Sequence, residues 1–412
     1  EVILPKLLNF EKMKILWISL QYPYGGKPTK GIFIKRTIDY LCQKLENYQF
    51  EILIPYTRFF PVISFFKYLK KPRLVMQDWK NSIPNSADFN TDRLHFLNYF
   101  RFPRPYFQHI EGKLFWLFNK KKISKKFKDF DLIHANWLTP EGHIAYLLSK
   151  KTGVPYIVTM RGSDVYKCKK NKHLRKISQK IINNATLITG NSYYIFEVAK
   201  KNGLIFKNKQ VHVTHSFYET EKFIIKKKDE IRKQIGLPVD NKIIFFAGAL
   251  RPVKNIGSLI KACARLTEKS FKLVIAGVGN EFSNLEQIVR ANNFSDHLLF
   301  VGSLQTDEMI SYYNAADVFC LPSYNEGFGN VIIESLLCGT PVAASNLGEI
   351  PKHVTNNVNG FLFNPYDIEE IAKSIQKAIN KEWDRVSLRK SVEFLFPENV
   401  LKEYKEIYTK FN

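Results

Sequence analysis

The chain has 412 residues, 45% apolar and 24% charged, a globular balance that excludes a disordered protein and, at about 150–200 residues per core, calls for two domains. No apolar run approaches the roughly 18–20 residues of a membrane-spanning helix, and the five cysteines include no CxxC pair, which argues against a zinc site or disulfide framework and for a reducing compartment. The net charge of +24 sits in one half: residues 1–240 carry 44 basic and 19 acidic side chains, residues 241–412 carry 18 and 19, so the first half is expected to meet a membrane surface, a phosphorylated acceptor or a nucleic acid.

Residues 1–12 precede Met13 and read as a disordered N-terminal extension; without a basic stretch they do not make a cleaved signal peptide. Residues 14–19 read as a first strand. A loop with Gly25, Gly26 and Gly31 follows, then a helix with Ile34, Ile38, Leu41 and Leu45 at helical spacing. Apolar runs recur at 131–135, 155–160 and 185–190. The second half repeats the plan with a strand at 242–247, Gly248, a helix at 256–268, and strands at 271–277, 297–302, 317–322 and 341–345. Continuous apolar runs between helices are parallel strands covered on both faces. The expected fold is therefore α/β, with two doubly wound domains at 13–235 and 241–390. Residues 391–412 form a C-terminal helix expected to return towards the first domain. Ligands in such sheets bind beyond the carboxyl ends of the strands.

The sharpest motif is NEGFGNVIIE at 325–334. Glu326 and Glu334 flank Gly327, Phe328, Gly329 and Asn330, in a loop that leaves a strand and opens a helix. Backbone N–H groups at that helix start favour a phosphate. Glu334 is placed to accept from ribose hydroxyls and Glu326 from sugar hydroxyls. The plainer reading is a glutamate complementing a helix dipole.

This string resembles the E-x7-E signature of GT-B glycosyltransferases, in particular the large retaining group called family 4 or group 1. The likeness covers roughly 14–410, including GEIPKHVTNNVNGFLFNPYD at 348–367. It implies two Rossmann-like domains facing across a cleft, with the acceptor on the first and a UDP- or GDP-sugar donor on the second. It further implies retention of configuration, a glycan or lipid-linked glycan acceptor in surface-polysaccharide assembly, no metal and no cofactor.

The resemblance also assigns roles. Lys254 in GALRPVKN, 248–255, matches the lysine that lies against the donor diphosphate; Ala249 stands where relatives have arginine, and Arg251 is the substitute or a solvated loop charge. Gly31, Gly248, Gly277, Val301 and Gly302 join the donor site, the base being read near Val301–Gly302. Arg161, in RGSD, stands where many relatives carry a histidine facing the transferred sugar. It is expected to bind the sugar or an anionic acceptor and cannot act as a base. His134 is its companion in the catalytic set, or a satisfied structural histidine. THSFYE at 214–219 departs from the usual Asn-Gly turn, and Asp129-Phe130-Asp131 precedes a strand and is not read as a metal site.

The aromatic and basic segments 59–73 and 119–130 suit an anionic membrane interface, at about 1 kcal/mol per Lys or Arg; the alternative is a solvated helix face over ordinary buried phenylalanines. The expected address is cytoplasmic, peripheral on the inner face of the membrane. Competing readings are a nucleotide-sugar epimerase of the same architecture, a catalytically silent relative, and a nucleic-acid-binding protein. No nucleic-acid module is recognisable, so nucleic acid is not an expected partner.

Overall fold

The computed structural model describes residues 12–24, 31–59, 92–101, 107–268, 270–326 and 328–411. The expectations for 1–11, Gly25, Gly26, Gly327 and nearly all of 59–73 lie outside the described residues. The chain divides into two compact units: the first runs to Tyr218 and takes up the chain again from Val400, and the second is Glu219–Asn399. The break thus falls ahead of residue 235. Residues of 219–235 are bound into the second unit by Arg232, which donates to the carbonyls of Ala315, Val239 and Asn241 and pairs with Asp317 at 2.6 Å.

The first unit holds a seven-stranded sheet of β1 (Met13–Ile18), β2 (Tyr48–Phe59), β3 (Leu94–Arg101), β4 (Leu132–Asn136), β5 (Tyr156–Met160), β6 (Leu187–Gly190) and β7 (Val211–Val213), in the order β3-β2-β1-β4-β5-β6-β7. The second holds β8 (Lys242–Ala247), β9 (Phe271–Ala276), β10 (Leu298–Gly302), β11 (Val318–Leu321), β12 (Val342–Ser345) and β13 (Gly360–Phe363), in the order β10-β9-β8-β11-β12-β13. Neighbouring strands are parallel in both sheets. The strand order therefore reverses between β1 and β4 in the first unit and between β8 and β11 in the second.

Burial accounts for the central strands that the sequence announces. Every residue of β4, β5, β6, β11 and β12 is buried, so their runs are apolar with little interruption. β3 carries His95 and Asn98, β7 is three residues long, and β13 opens on Gly360, so none of these shows such a run, whereas β2 holds the buried apolar run 52–56 behind a polar start at Gln49 and Glu51, and β10 keeps an apolar run although it is only partly buried. Within β1 the pleat sends Leu16 and Ile18 to one core and Ile15 and Trp17 to the other. That second core is closed by the helix Pro397–Tyr408, whose Tyr404 and Tyr408 are fully buried with Trp17 and Ile38. Each such side chain contributes on the order of 1.5–3 kcal/mol. Among the described residues, no helix is long and apolar enough to cross a membrane.

Candidate active site

In an open parallel sheet the two loops on either side of a strand-order reversal diverge and leave a crevice. In the second unit these are the loop after β8 and the loop after β11. They are tied by one backbone hydrogen bond, Tyr324 N to Val253 O at 2.9 Å. Lys254 ends the short 3-10 turn Pro252–Lys254; Asn255 then takes a left-handed conformation (φ 54°) to start the helix Ile256–Cys263. This turn aims the Lys254 ammonium at Glu326, and Oε1 of Glu326 accepts from both Lys254 and Ser323 Oγ, the latter at 2.8 Å. The ion pair is only partly screened, with side chains 20% and 14% exposed. Oε2 of Glu326 makes no hydrogen bond among the described residues.

Glu334 lies one turn into the helix Asn330–Leu337, which begins beyond Gly329. Its Oε2 accepts from the hydroxyl of Tyr313 at 2.9 Å, a fully buried side chain of the helix Thr306–Ala315. Both glutamates of the motif are thus held by a hydroxyl from a buried neighbour. Phe328 packs its ring on His353 at 4.5 Å, and Asn330 is exposed as the first residue of its helix.

The ends of β8, β9 and β10 are stitched together beside this pair. Gly248 N donates to Ala276 O at 3.0 Å, and Gly277 N to Gly302 O at 2.6 Å. A Cβ on Gly277 would stand 1.9 Å from the Gly248 carbonyl oxygen, and its φ is 142°, so only glycine fits there. Val301 and Gly302 are half-buried at the end of β10. Arg251 is exposed, and its guanidinium makes no hydrogen bond or ion pair among the described residues. The second unit therefore gathers Lys254, Glu326, Gly248, Gly277 and Gly302 around the carboxyl ends of its sheet.

In the first unit, Gly31 has φ 66°, and a Cβ there would lie 1.9 Å from Gln21 O. Close packing of the loop on Gln21 is enough to require it. Arg161 follows β5; its Nε and Nη2 both donate to Asn136 Oδ1, at 3.2 and 2.9 Å, and Nη1 to Ser216 Oγ at 3.2 Å. Of the two expectations for His134, its surroundings fit the structural one. It is wholly buried, its Nδ1 lies 2.9 Å from the Tyr408 hydroxyl, its Nε2 2.7 Å from Thr159 Oγ1, and its ring lies against Trp17 at 4.3 Å. Burial, aided by the charge of Arg161, pushes its pKa down to about 3. This neutral core residue joins β4 and β5 to the last helix. Asp131 accepts the N–H of Lys14 at 2.7 Å, tying strand entries. His215, in the departing 214–219 turn, is held by Glu403 through its backbone N–H (2.9 Å) and Nδ1 (2.7 Å).

Ser323, Tyr313 and Asn136 escaped the sequence reading, and Ser216 was noted only as part of the departing turn at 214–219. Ser323 lies three residues ahead of Glu326, where a small hydroxyl after a strand was the available signal. Tyr313 and Asn136 read from the sequence as ordinary core or strand-end positions.

The profile of the Glycosyl transferases group 1 matches residues 227–393, and that of Glycosyl transferase 4-like matches 87–192. TuaC of Bacillus subtilis, a glycosyltransferase whose name assigns it to teichuronic acid biosynthesis, is 28% identical over 379 residues, 89% of each chain. The N-acetyl-alpha-D-glucosaminyl L-malate synthase of Bacillus anthracis is 24% identical over 68% of this chain and 75% of its own. In fold, the chain is similar to the sucrose-phosphate synthase of Thermosynechococcus elongatus (TM-score 0.72, 20% identity, 97% and 99% of the two chains covered). It is also similar to Anabaena HepE in complex with UDP (TM-score 0.70, 19% identity, 97% and 100% covered). The matching profiles, and two parallel sheets that each reverse order once, place the chain among the group 1 glycosyltransferases of the GT-B fold.

Proposed function

We propose that this protein transfers a hexose from a UDP- or GDP-sugar to a glycan or lipid-linked glycan, with retention of anomeric configuration and without a metal, in surface-polysaccharide assembly at the cytoplasmic face of a membrane. The observation that carries this reading is the Lys254–Glu326–Ser323 cluster at the β8/β11 reversal. A donor diphosphate would draw Lys254 from Glu326 and take its charge, with Arg251 the second cation on the same loop. Glu326 Oε2 would then accept a hydroxyl of the sugar, and Glu334, oriented by Tyr313, the hydroxyls of the ribose. Gly329 and Asn330 would set backbone N–H groups on the phosphate.

In the transfer step the bond from the anomeric carbon to the leaving phosphate oxygen breaks. The acceptor oxygen bonds that carbon on the same face, and the acceptor proton passes to the leaving phosphate. Developing negative charge on the leaving group is what Lys254 stabilises. The UDP complex of HepE supports a nucleotide-sugar donor, and the name of TuaC supports glycan assembly. Support for membrane attachment is the helix Glu111–Lys126, which exposes Leu117 and Phe118 beside Lys120, Lys121 and Lys122.

The test is a thermal-shift panel of UDP, GDP, ADP and CMP with their sugar conjugates, run without metal and then with Mg²⁺. The expected result is a metal-independent shift with one nucleotide, lost in Glu334→Ala and in Lys254→Ala. No shift with any nucleotide overturns the reading.

A further inference from the structure

Arg161 is a cation surrounded by neutral partners. Its fork rests on Asn136 Oδ1 and its Nη1 on Ser216 Oγ; its guanidinium lies 5.5 Å from the Phe33 ring centroid. It is only partly exposed, and no carboxylate pairs with it among the described residues. The acids that adjoin it in the hydrogen-bond network are committed elsewhere. Asp164 accepts from the backbone N–H groups of Leu138, Arg161 and Gly162, and Glu403 is held by His215.

Neutral oxygens orient a guanidinium without cancelling its charge, and partly buried charges are ordinarily paired. The arrangement also leaves a donor unmet. Because Oδ1 of Asn136 must face the arginine fork, its Nδ2 points away, is buried, and has no hydrogen-bond partner among the described residues. An unmet buried donor beside an oriented cation marks a group arranged for a ligand rather than for stability alone. The position is the carboxyl end of β5, next to the β1/β4 reversal, in the half of the sequence that carries all the excess positive charge.

We infer that Arg161, oriented by Asn136 and Ser216, binds a carboxylate or phosphate of the substrate, carried either on the transferred sugar or on the acceptor. This rests on the transferase reading above. A planar guanidinium is suited to grip such a group with two parallel N–H···O bonds, which a lysine cannot reproduce.

The experiment uses the full chain and inorganic phosphate as probe, titrated calorimetrically against chloride at equal ionic strength, with and without saturating UDP. The expected result is saturable phosphate binding that persists with UDP present. It should be lost in Arg161→Gln, weakened about tenfold in Arg161→Lys, and kept in Lys254→Ala. Since Lys254→Ala separates the nucleotide site, absence of a response to both UDP and GDP would count against the transferase reading while leaving the phosphate measurement intact. Phosphate affinity unchanged within twofold in Arg161→Gln, or in Arg161→Lys and Ser216→Ala should the glutamine variant not fold, overturns the inference. So does wild type without saturable phosphate binding. The source follows from UDP-glucuronate against UDP-glucose. A preference of about tenfold for the acid that disappears in Arg161→Lys places the anion on the donor sugar. Equal affinities together with Arg161-dependent phosphate binding place it on the acceptor.

Discussion

Replacing Ser323 by alanine asks whether Glu326 is held in place for a donor sugar. Ser323 is fully buried after β11, and its hydroxyl gives the Glu326 carboxylate one of the two hydrogen bonds on Oε1; the other comes from Lys254. A hydrogen bond to a charged group contributes about 1.5–3 kcal/mol. Glu326 retains 14% exposure, so water restores part of the loss, and the lower end of that range applies. About 1.4 kcal/mol is tenfold in rate. The expected outcome for Ser323→Ala is therefore roughly a tenfold drop in kcat/KM for the nucleotide-sugar, while calorimetric affinity for the free nucleotide, which lacks the sugar hydroxyl proposed to bind Glu326, stays within about twofold. Ser323→Thr, which keeps the hydroxyl, should recover most of the activity. Full kcat/KM in the alanine variant, or an equal loss of affinity for nucleotide and nucleotide-sugar, would refute the assignment.

Two further outcomes concern stability. Gly277→Ala drives a Cβ to within 1.9 Å of the Gly248 carbonyl at a φ of 142°; a loss of about 3 kcal/mol from the second unit is expected in urea unfolding followed by circular dichroism, and a wild-type midpoint would mean the loops relax freely. His134 stays neutral in the folded protein because burial holds its pKa at about 3, against 6.5 when unfolded. Its stabilisation is full above pH 6.5 and is lost as the pH falls towards 3, about 2 kcal/mol by pH 5. Urea midpoints at pH 8 and pH 5, read by tryptophan fluorescence, should show that slope, and His134→Asn should flatten it; equal slopes in the two proteins would show that His134 titrates freely.

The central strands were legible because each is buried on both faces, and burial on both faces leaves a nearly unbroken apolar run in the chain. β3, β7 and β13 were not, since polar residues, short length or an opening glycine interrupt the run, and β2 was passed over although its residues 52–56 are apolar and buried. The E-x7-E string was legible because its glycines and glutamates are neighbours in the chain. His134 stayed open between two roles for the same reason in reverse: it sits in a strand like a catalytic group, but the helix Pro397–Tyr408, whose Tyr408 lies 274 residues on, supplies the hydroxyl that packs it as a core residue.

What the order of residues determines by itself is thus local: the two α/β halves, the motif loops after strands, and the confinement of positive charge to the first half. Only the tertiary structure decides which hydroxyl or amide meets which charge. Lys254 and Glu326 are 72 residues apart, Arg161 and Ser216 are 55 apart, and Tyr313 reaches Glu334 from another helix. They meet because strand order reverses at β8/β11 and β5 lies beside β4. Periodicity records which face of a strand is buried; it carries no record of which strands lie side by side, and a site built from loop ends depends on that neighbourhood.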